Sequence, residues 1–165
     1  IGKQLQEFVA AKKPIIGICN GFQVLTKLGL FNDAAEVGLA SNLSGQFINM
    51  WSDLEVHNSV CIWTKGIKSL KLPIRHGEGR FVFSEEAKLH GARWMKEGRV
   101  VLTYKNNPNG AHADIAGVTD STGLVLGLMP HPEAAVDAHL YPGGKCPETL
   151  GLQVFQNAVD YIKGL

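Results

Sequence analysis

The sequence predicts an α/β fold, an open and mostly parallel sheet flanked by helices, with an additional antiparallel β segment around residues 41–83. Three observations carry this reading. The chain opens on a helical stripe, passes through a short apolar β-branched run and an Asn20-Gly21 turn, and re-enters a helical pattern, which is the order of a βα unit in a parallel sheet. Between residues 41 and 75 the texture changes to short β-prone runs broken by Gly45, Asn58 and Gly66, as in hairpins. A regular helical stripe then closes the chain.

The elements follow in order. Ile1, Leu5, Phe8 and Val9 place one apolar stripe on a helix that stops near Lys12, Lys13 and Pro14, with nothing before it to pack on. Residues 14–19 (PIIGIC) read as a strand buried on both faces, and residues 23–30 as a short helix. Residues 46–51, 54–57 and 60–63 read as β runs. Ser84 followed by Glu85 and Glu86 marks a helix start, with Gly98 as the stop. Residues 100–104, 114–118 and 124–129 are predicted strands, separated by the turn-rich Asn106-Asn107-Pro108-Asn109-Gly110 and by residues 120–123. Leu152, Phe155, Val159 and Ile162 define the terminal helix.

Composition narrows the function. The chain has 165 residues, 45% of them hydrophobic and 19% charged, enough apolar surface for a packed core and a length suited to one domain. Sixteen Lys and Arg against 15 Asp and Glu leave a formal charge of +1, so there is no electrostatic footprint for nucleic acid. No run is long and apolar enough for a membrane span, and the first residues lack a signal-peptide core. Three widely spaced cysteines, Cys19, Cys61 and Cys146, suit a reducing compartment, so a cytoplasmic protein is expected. No metal-ligand spacing occurs: the His131-x-Glu133 pair lacks the Cys-x-x-Cys that a zinc deaminase needs.

The chemistry centres on Gly17-Ile18-Cys19-Asn20-Gly21, which has the G-x-nucleophile-x-G spacing of a strand-to-helix elbow. Such a turn strains the backbone of the nucleophile, and glycines two residues to either side remove Cβ atoms that would clash. The helix N-terminus that follows favours thiolate and can donate to an oxyanion. The competing reading is a buried structural cysteine, as expected for Cys61 and Cys146. A thiol nucleophile needs a base with an orienting carboxylate. Of the six histidines, His131 stands between Pro130 and Pro132, just after a predicted strand and two residues before Glu133. If that strand lies parallel to the Cys19 strand, a Cys19-His131-Glu133 triad forms at one sheet edge. The alternative is a surface-turn histidine beside a solvated carboxylate.

Four ordered motifs carry a resemblance: residues 17–25 (GICNGFQVL), 73–81 (PIRHGEGRF), Asn107-Pro108-Asn109-Gly110 with Asp114-Ile115-Ala116-Gly117, and Met129-Pro130-His131-Pro132-Glu133. Together they resemble the class I (triad) glutamine amidotransferases, which have a flavodoxin-like sheet. Among these they are most similar to the glutaminase subunits of phosphoribosylformylglycinamidine synthase.

The resemblance implies that Cys19 attacks the glutamine side-chain amide to form a thioester, with His131 as base and Glu133 as its support. It assigns the backbone N–H of Asn20 to the oxyanion hole, Asn20 and Gln23 to bound glutamine, and His76-Gly77 to the loop holding the substrate's amino-acid end. It also implies delivery of ammonia to a large synthetase subunit that uses ATP and magnesium in purine synthesis, joined by a small third subunit, with no cofactor in this chain. Two departures stand out. Ala134 replaces the Arg that usually follows the Pro-His-Pro-Glu segment. The family also has about 80 residues ahead of the elbow strand, compatible with three βα units and including a loop that supplies the second oxyanion donor. The resemblance therefore makes residues 1–165 a single domain lacking about its first 80 residues. Alternatives are a catalytically weak amidotransferase-like binding subunit, since losing an oxyanion donor costs about 10²–10³ in rate, or another Cys-His-Glu hydrolase, such as a cysteine peptidase-like relative. Phe47, Trp51, Trp63 and Tyr141 could line a contact surface, although aromatic residues at such positions more often belong to a core.

Overall fold

A computed structural model describes residues 2–31, 37–57, 59–85, 90–144, 147 and 150–164. Helix α1 (Gly2–Ala10) leads into strand β1 (Ile15–Ile18), and helix α2 (Asn20–Lys27) follows Cys19 directly. Strands β2 (Val37–Ser41), β3 (Ile48–Val56), β4 (Ser69–His76) and β5 (Glu78–Phe83) come next, then helix α3 (His90–Lys96). Strands β6 (Val100–Tyr104), β7 (Ile115–Thr119) and β8 (Val125–Leu128) precede the terminal helix α4 (Leu152–Lys163).

Six strands form one sheet in the order β1-β8-β7-β6-β3-β4, and β2 pairs with β5 in a separate two-stranded sheet. The expected parallel arrangement occurs at β1–β8, where Ile15 to Ile18 pair with Val125 to Leu128. Every other pairing in the six-stranded sheet is antiparallel, which corrects the mostly parallel expectation for the described strands. At β7–β8 the reason lies in the connection, which is too short to hold the crossover that a parallel pair requires. Asp120 closes this turn by accepting from the backbone N–H groups of Leu124 and Val125. The antiparallel segment around residues 41–83 is present, but β3 and β4 belong to the main sheet and only β2 and β5 stand apart.

Several boundaries moved. Helix α2 starts three residues earlier than its periodicity suggests, because the elbow turns straight into it, and Gly29 (φ 69°) ends it. Residues 46–51 and 54–57, read as two runs, fall largely on the single nine-residue strand β3. The run at residues 60–63 is a 3₁₀ turn (Ile62–Thr64), which lets Trp63 reach inward and donate its indole N–H to Leu124 O (3.0 Å). The expected helix start after Ser84 falls partly on residues outside those described, whereas its stop at Gly98 (φ 68°) is present. Strand β1 is half-buried rather than covered on both faces, because it is the outer strand in the sheet order, and only Gly17 is fully buried. Helix α1 does find a partner surface: Leu5 and Val9 pack against the cluster containing Phe22, Phe31 and Val125.

Two apolar clusters flank the sheet. One gathers Leu54, Leu72, Ile74, Leu102, Leu126 and Leu128 under α4. The other packs Phe22, Phe31, Phe81, Phe83 and Trp94 in edge and stacked contacts beneath α2. Gly127 makes the α2 contact possible, since a Cβ there would stand 2.2 Å from the Phe22 ring. Of the aromatic residues considered for a contact surface, Trp63 and Tyr141 are buried, Trp51 packs against Tyr141 at a tilt of 40° (ring centroids 4.8 Å apart), and Phe47 alone is well exposed. Cys61 is buried in the core, and Cys146 lies outside the described residues.

Candidate active site

Cys19 sits between β1 and α2 with φ 51° and ψ −108°, a left-handed conformation that L-residues rarely adopt and that stores strain at the sharp turn. Its own N–H donates to Leu128 O (2.8 Å), tying the elbow to the end of β8. Gly17 is required for this approach, because a Cβ there would lie 2.5 Å from Leu25 Cδ1 and 2.8 Å from the Gly21 backbone. Gly21 contributes differently from the expectation: a Cβ on it meets no neighbour among the described residues, so it is its backbone, not its missing side chain, that Gly17 accommodates.

Because β8 runs parallel to β1, the chain leaving it emerges at the same edge as Cys19. The Pro132–Ala134 3₁₀ turn follows, and His131 Nδ1 lies 2.6 Å from Glu133 Oε1. This turn is buttressed from two sides. The His131 N–H donates to Pro73 O (2.8 Å), and Gly151, at the start of α4, packs so closely that a Cβ would meet Pro132 O at 2.2 Å. His131 Nε2 is buried with no partner among the described residues, so the imidazole and the thiol are not hydrogen-bonded in this resting arrangement. Such contacts are commonly long before substrate arrives.

The remaining wall is the link between β4 and β5, which the candidate residues touch in succession. Cys19 Sγ points to Arg75 O (3.8 Å), and the Gln23 side-chain amide donates to Glu78 O (3.1 Å). His76 and Gly77 lie between these contacts. Gln23 therefore holds the wall in this state. Asn20 has an exposed side chain, and its backbone N–H faces the Cys19 sulfur closely enough to favour its charged form.

Electrostatics refine the expectation of a ready thiolate. Burial pushes the Cys19 thiol up, the Asn20 N–H partly offsets this, and the negative charge of Glu133 raises it further. The resting group is thus a thiol that must hand its proton to a base. His76 is shifted the other way, down to about 4, first by burial and then by His131 nearby. The ring is uncharged at neutral pH. Two residues escaped the sequence reading. Tyr104 on β6 is buried close enough to Cys19 for the sulfur's charge to add to the burial that raises its phenol. Asn42, just past β2, binds the His76 segment, and its only sequence signal is a turn-forming residue at a strand end. Among the described residues no three His, Cys, Asp or Glu side chains converge as a metal site.

Residues 1–162 match the model of the CobB/CobQ-like glutamine amidotransferase domain. The chain belongs to this glutamine amidotransferase family. It is 39% identical over 190 residues to the phosphoribosylformylglycinamidine synthase subunit PurQ of Methanococcus maripaludis, covering 96% of this chain and 69% of that protein. The PurQ subunit of Lacticaseibacillus paracasei is 44% identical over 163 residues, covering 97% of this chain and 66% of that protein. Among solved structures, PurLQS from Thermotoga maritima superposes with a TM-score of 0.78 at 34% identity, covering 98% of this chain and 68% of that one. Another glutamine amidotransferase from Thermotoga maritima, at 15% identity and TM-score 0.53 over 99% of this chain and 52% of that one, shares the fold. The amidotransferase family thus supplies a setting in which the Cys19 elbow and the His131–Glu133 pair can be read chemically.

Proposed function

We propose that Cys19, His131 and Glu133 hydrolyse the side-chain amide of glutamine. The observation that carries this reading is the parallel β1–β8 pairing, which brings a strained cysteine elbow and a carboxylate-held imidazole to one sheet edge in a glutamine amidotransferase. Cys19 Sγ attacks the amide carbon while His131 takes the thiol proton. His131 returns that proton to the departing nitrogen, which leaves as ammonia, and a γ-glutamyl thioester remains. Water then attacks the thioester with His131 as base, releasing glutamate and restoring the thiol. Glu133 holds the imidazole and stabilises its cation, and the Asn20 N–H binds the oxyanion.

The chain is a glutaminase subunit of the phosphoribosylformylglycinamidine synthase type, supplying ammonia for formylglycinamidine ribonucleotide synthesis in purine biosynthesis. Its partners are the synthetase subunit and the small third subunit of that enzyme. In this reading ATP and magnesium are used by the synthetase, and the enzyme works in the cytoplasm. Among the described residues no helix is long and apolar enough to cross a membrane.

A glutamine-mimicking diazoketone tests the assignment. Labelling should occur at Cys19 and vanish in Cys19→Ser, with ammonia released from glutamine in the presence of the synthetase. An unreactive thiol in folded protein would point to a docking subunit with little catalysis, and turnover of peptides but not glutamine would point to another hydrolase.

A further inference from the structure

The β4–β5 link supplies the wall opposite Cys19, yet neither strand holds residues 76 and 77 in place by ladder bonds alone. Asn42 does so from outside. Its backbone N–H donates to Gly77 O (2.9 Å), and its side-chain Nδ2 donates to both His76 O and Gln46 O (2.8 Å each). The Oδ1 atom, an amide oxygen, can only accept, and it does so from His76 Nδ1 (3.0 Å). That bond sets the His76 tautomer, leaving Nε2 as an acceptor that is buried and without a partner among the described residues. Asn42 is 3% exposed and has every polar side-chain atom bonded to this loop or to the turn beside it.

Asn42 is itself anchored by the Asn107-Pro108-Asn109-Gly110 motif. Asn107 Oδ1 accepts from the N–H groups of Asn109, Gly110 and Ala111, its Nδ2 donates to Ala111 O and Asp114, and the knotted loop offers Asn109 O to the N–H of Leu43 (3.0 Å). A Cβ on Gly110 would meet Leu43 Cβ at 2.9 Å, so the two loops are in close contact. The hydrogen bonds therefore run unbroken from the Asn107 knot through Leu43 and Asn42 to the His76-Gly77 turn.

We infer that Asn42 is a positioning residue for glutamine, setting the His76-Gly77 turn at the height where it receives the substrate's amino-acid end. The inference rests on the glutaminase reading, because only there does this turn have a substrate to receive. Its effect falls on recognition and not on the thiol, since Asn42 bonds none of Cys19, His131 or Glu133.

The test uses the assembled synthetase complex with Asn42→Asp, an isosteric change that keeps the acceptor for His76 Nδ1 and removes both Nδ2 donors, and with Asn42→Ala. Two electrophiles are compared at Cys19: the glutamine-mimicking diazoketone, which has an amino-acid end, and iodoacetamide, which has none. In both variants the KM for glutamine and the half-saturating diazoketone concentration should rise about tenfold, kcat should fall by less than about threefold, and iodoacetamide labelling should stay within about twofold of wild type. Equal losses with both electrophiles, an unchanged KM, or failure of both variants to fold would assign Asn42 to the fold and overturn the inference. Absence of diazoketone labelling in the wild-type complex would instead sink the glutaminase reading, and the inference with it.

Discussion

Two regions meet at the sheet edge and are built on different principles. The chemical groups come from short stretches: Cys19 takes its geometry from Gly17 and the start of α2, and His131 takes its carboxylate from two residues downstream. The wall at residues 73–79 contributes mainly main-chain atoms, and its partners, Gln23, Asn42 and His131, are each more than 30 residues away in sequence. Local construction sets the conformation of each candidate reacting group, and the β1–β8 pairing and Pro73 O set where they meet, whereas Gln23 and Asn42 hold the wall without bonding Cys19, His131 or Glu133. Substitutions in the first region should therefore abolish turnover, and those in the second should change affinity.

The largest expected effect would break the comparison if absent. Cys19→Ser should lower glutamine turnover at least about 10³-fold, because the weaker nucleophile cannot use the elbow in the same way. Ammonia release in the assembled complex measures it, and residual activity within tenfold of wild type would remove Cys19 from the chemistry. Glu133→Gln should come next, at about 10²–10⁴-fold in kcat with a small change in KM, since its carboxylate holds the imidazole and is assigned no contact with glutamine. A KM effect larger than the kcat effect would move Glu133 to the binding side.

A third substitution addresses the scaffold common to both regions. Gly127→Ala places a methyl group 2.2 Å from the Phe22 ring and should cost about 1–3 kcal/mol, read from urea unfolding, with α2 displaced from β8. Unchanged stability would mean that the elbow helix does not depend on this close approach. Gln23→Ala should raise the KM for glutamine several-fold by releasing the wall at Glu78 O, leaving iodoacetamide labelling nearly unchanged. The subtlest effects are in pH. Iodoacetamide labelling of Cys19 should rise through a midpoint above that of an ordinary thiol, and Glu133→Gln should lower that midpoint by removing a charge that raises it.

His76 supplies the corresponding test on the wall. Its folded value of about 4 lies below the ordinary 6.5, so between these the unfolded chain binds the proton and the folded one does not. Its contribution to stability is fully present above pH 6.5 and is lost as pH falls towards about 4. Melting temperatures across that window should fall more steeply in wild type than in His76→Gln. Equal slopes would mean that the ring gains no buried neutral environment on folding.

Much of the local geometry at this sheet edge was legible in the sequence. Glycine spacing around Cys19 signals the elbow, and the two prolines around His131 signal a constrained turn, because both depend on backbone preferences encoded within five residues. The two apolar runs, each followed by a site motif, were legible as strands, but their parallel pairing was only a condition of the triad until the structure supplied it. Other features resisted reading for an identifiable reason. The 3₁₀ turn at Ile62–Thr64 resembles a strand because its apolar residues are needed inside, and composition does not distinguish the two ways of burying them. Helix α2 was displaced by three residues because Asn20-Gly21 looks like a turn, while here it is the first helical turn after a strained residue.

By itself, the sequence determined the local geometry on which the proposed chemistry rests: a cysteine at a strand-to-helix elbow and a histidine with its own carboxylate. Those depend on near neighbours, so local physical rules reach them. Only the tertiary structure decided that β3 and β4 join the main sheet, that burial and Glu133 hold Cys19 as a thiol, and that Asn42 and Gln23 converge on one turn. These outcomes depend on hydrogen bonds and desolvation between segments tens of residues apart, and no periodicity in the chain records which carbonyl a distant amide will meet.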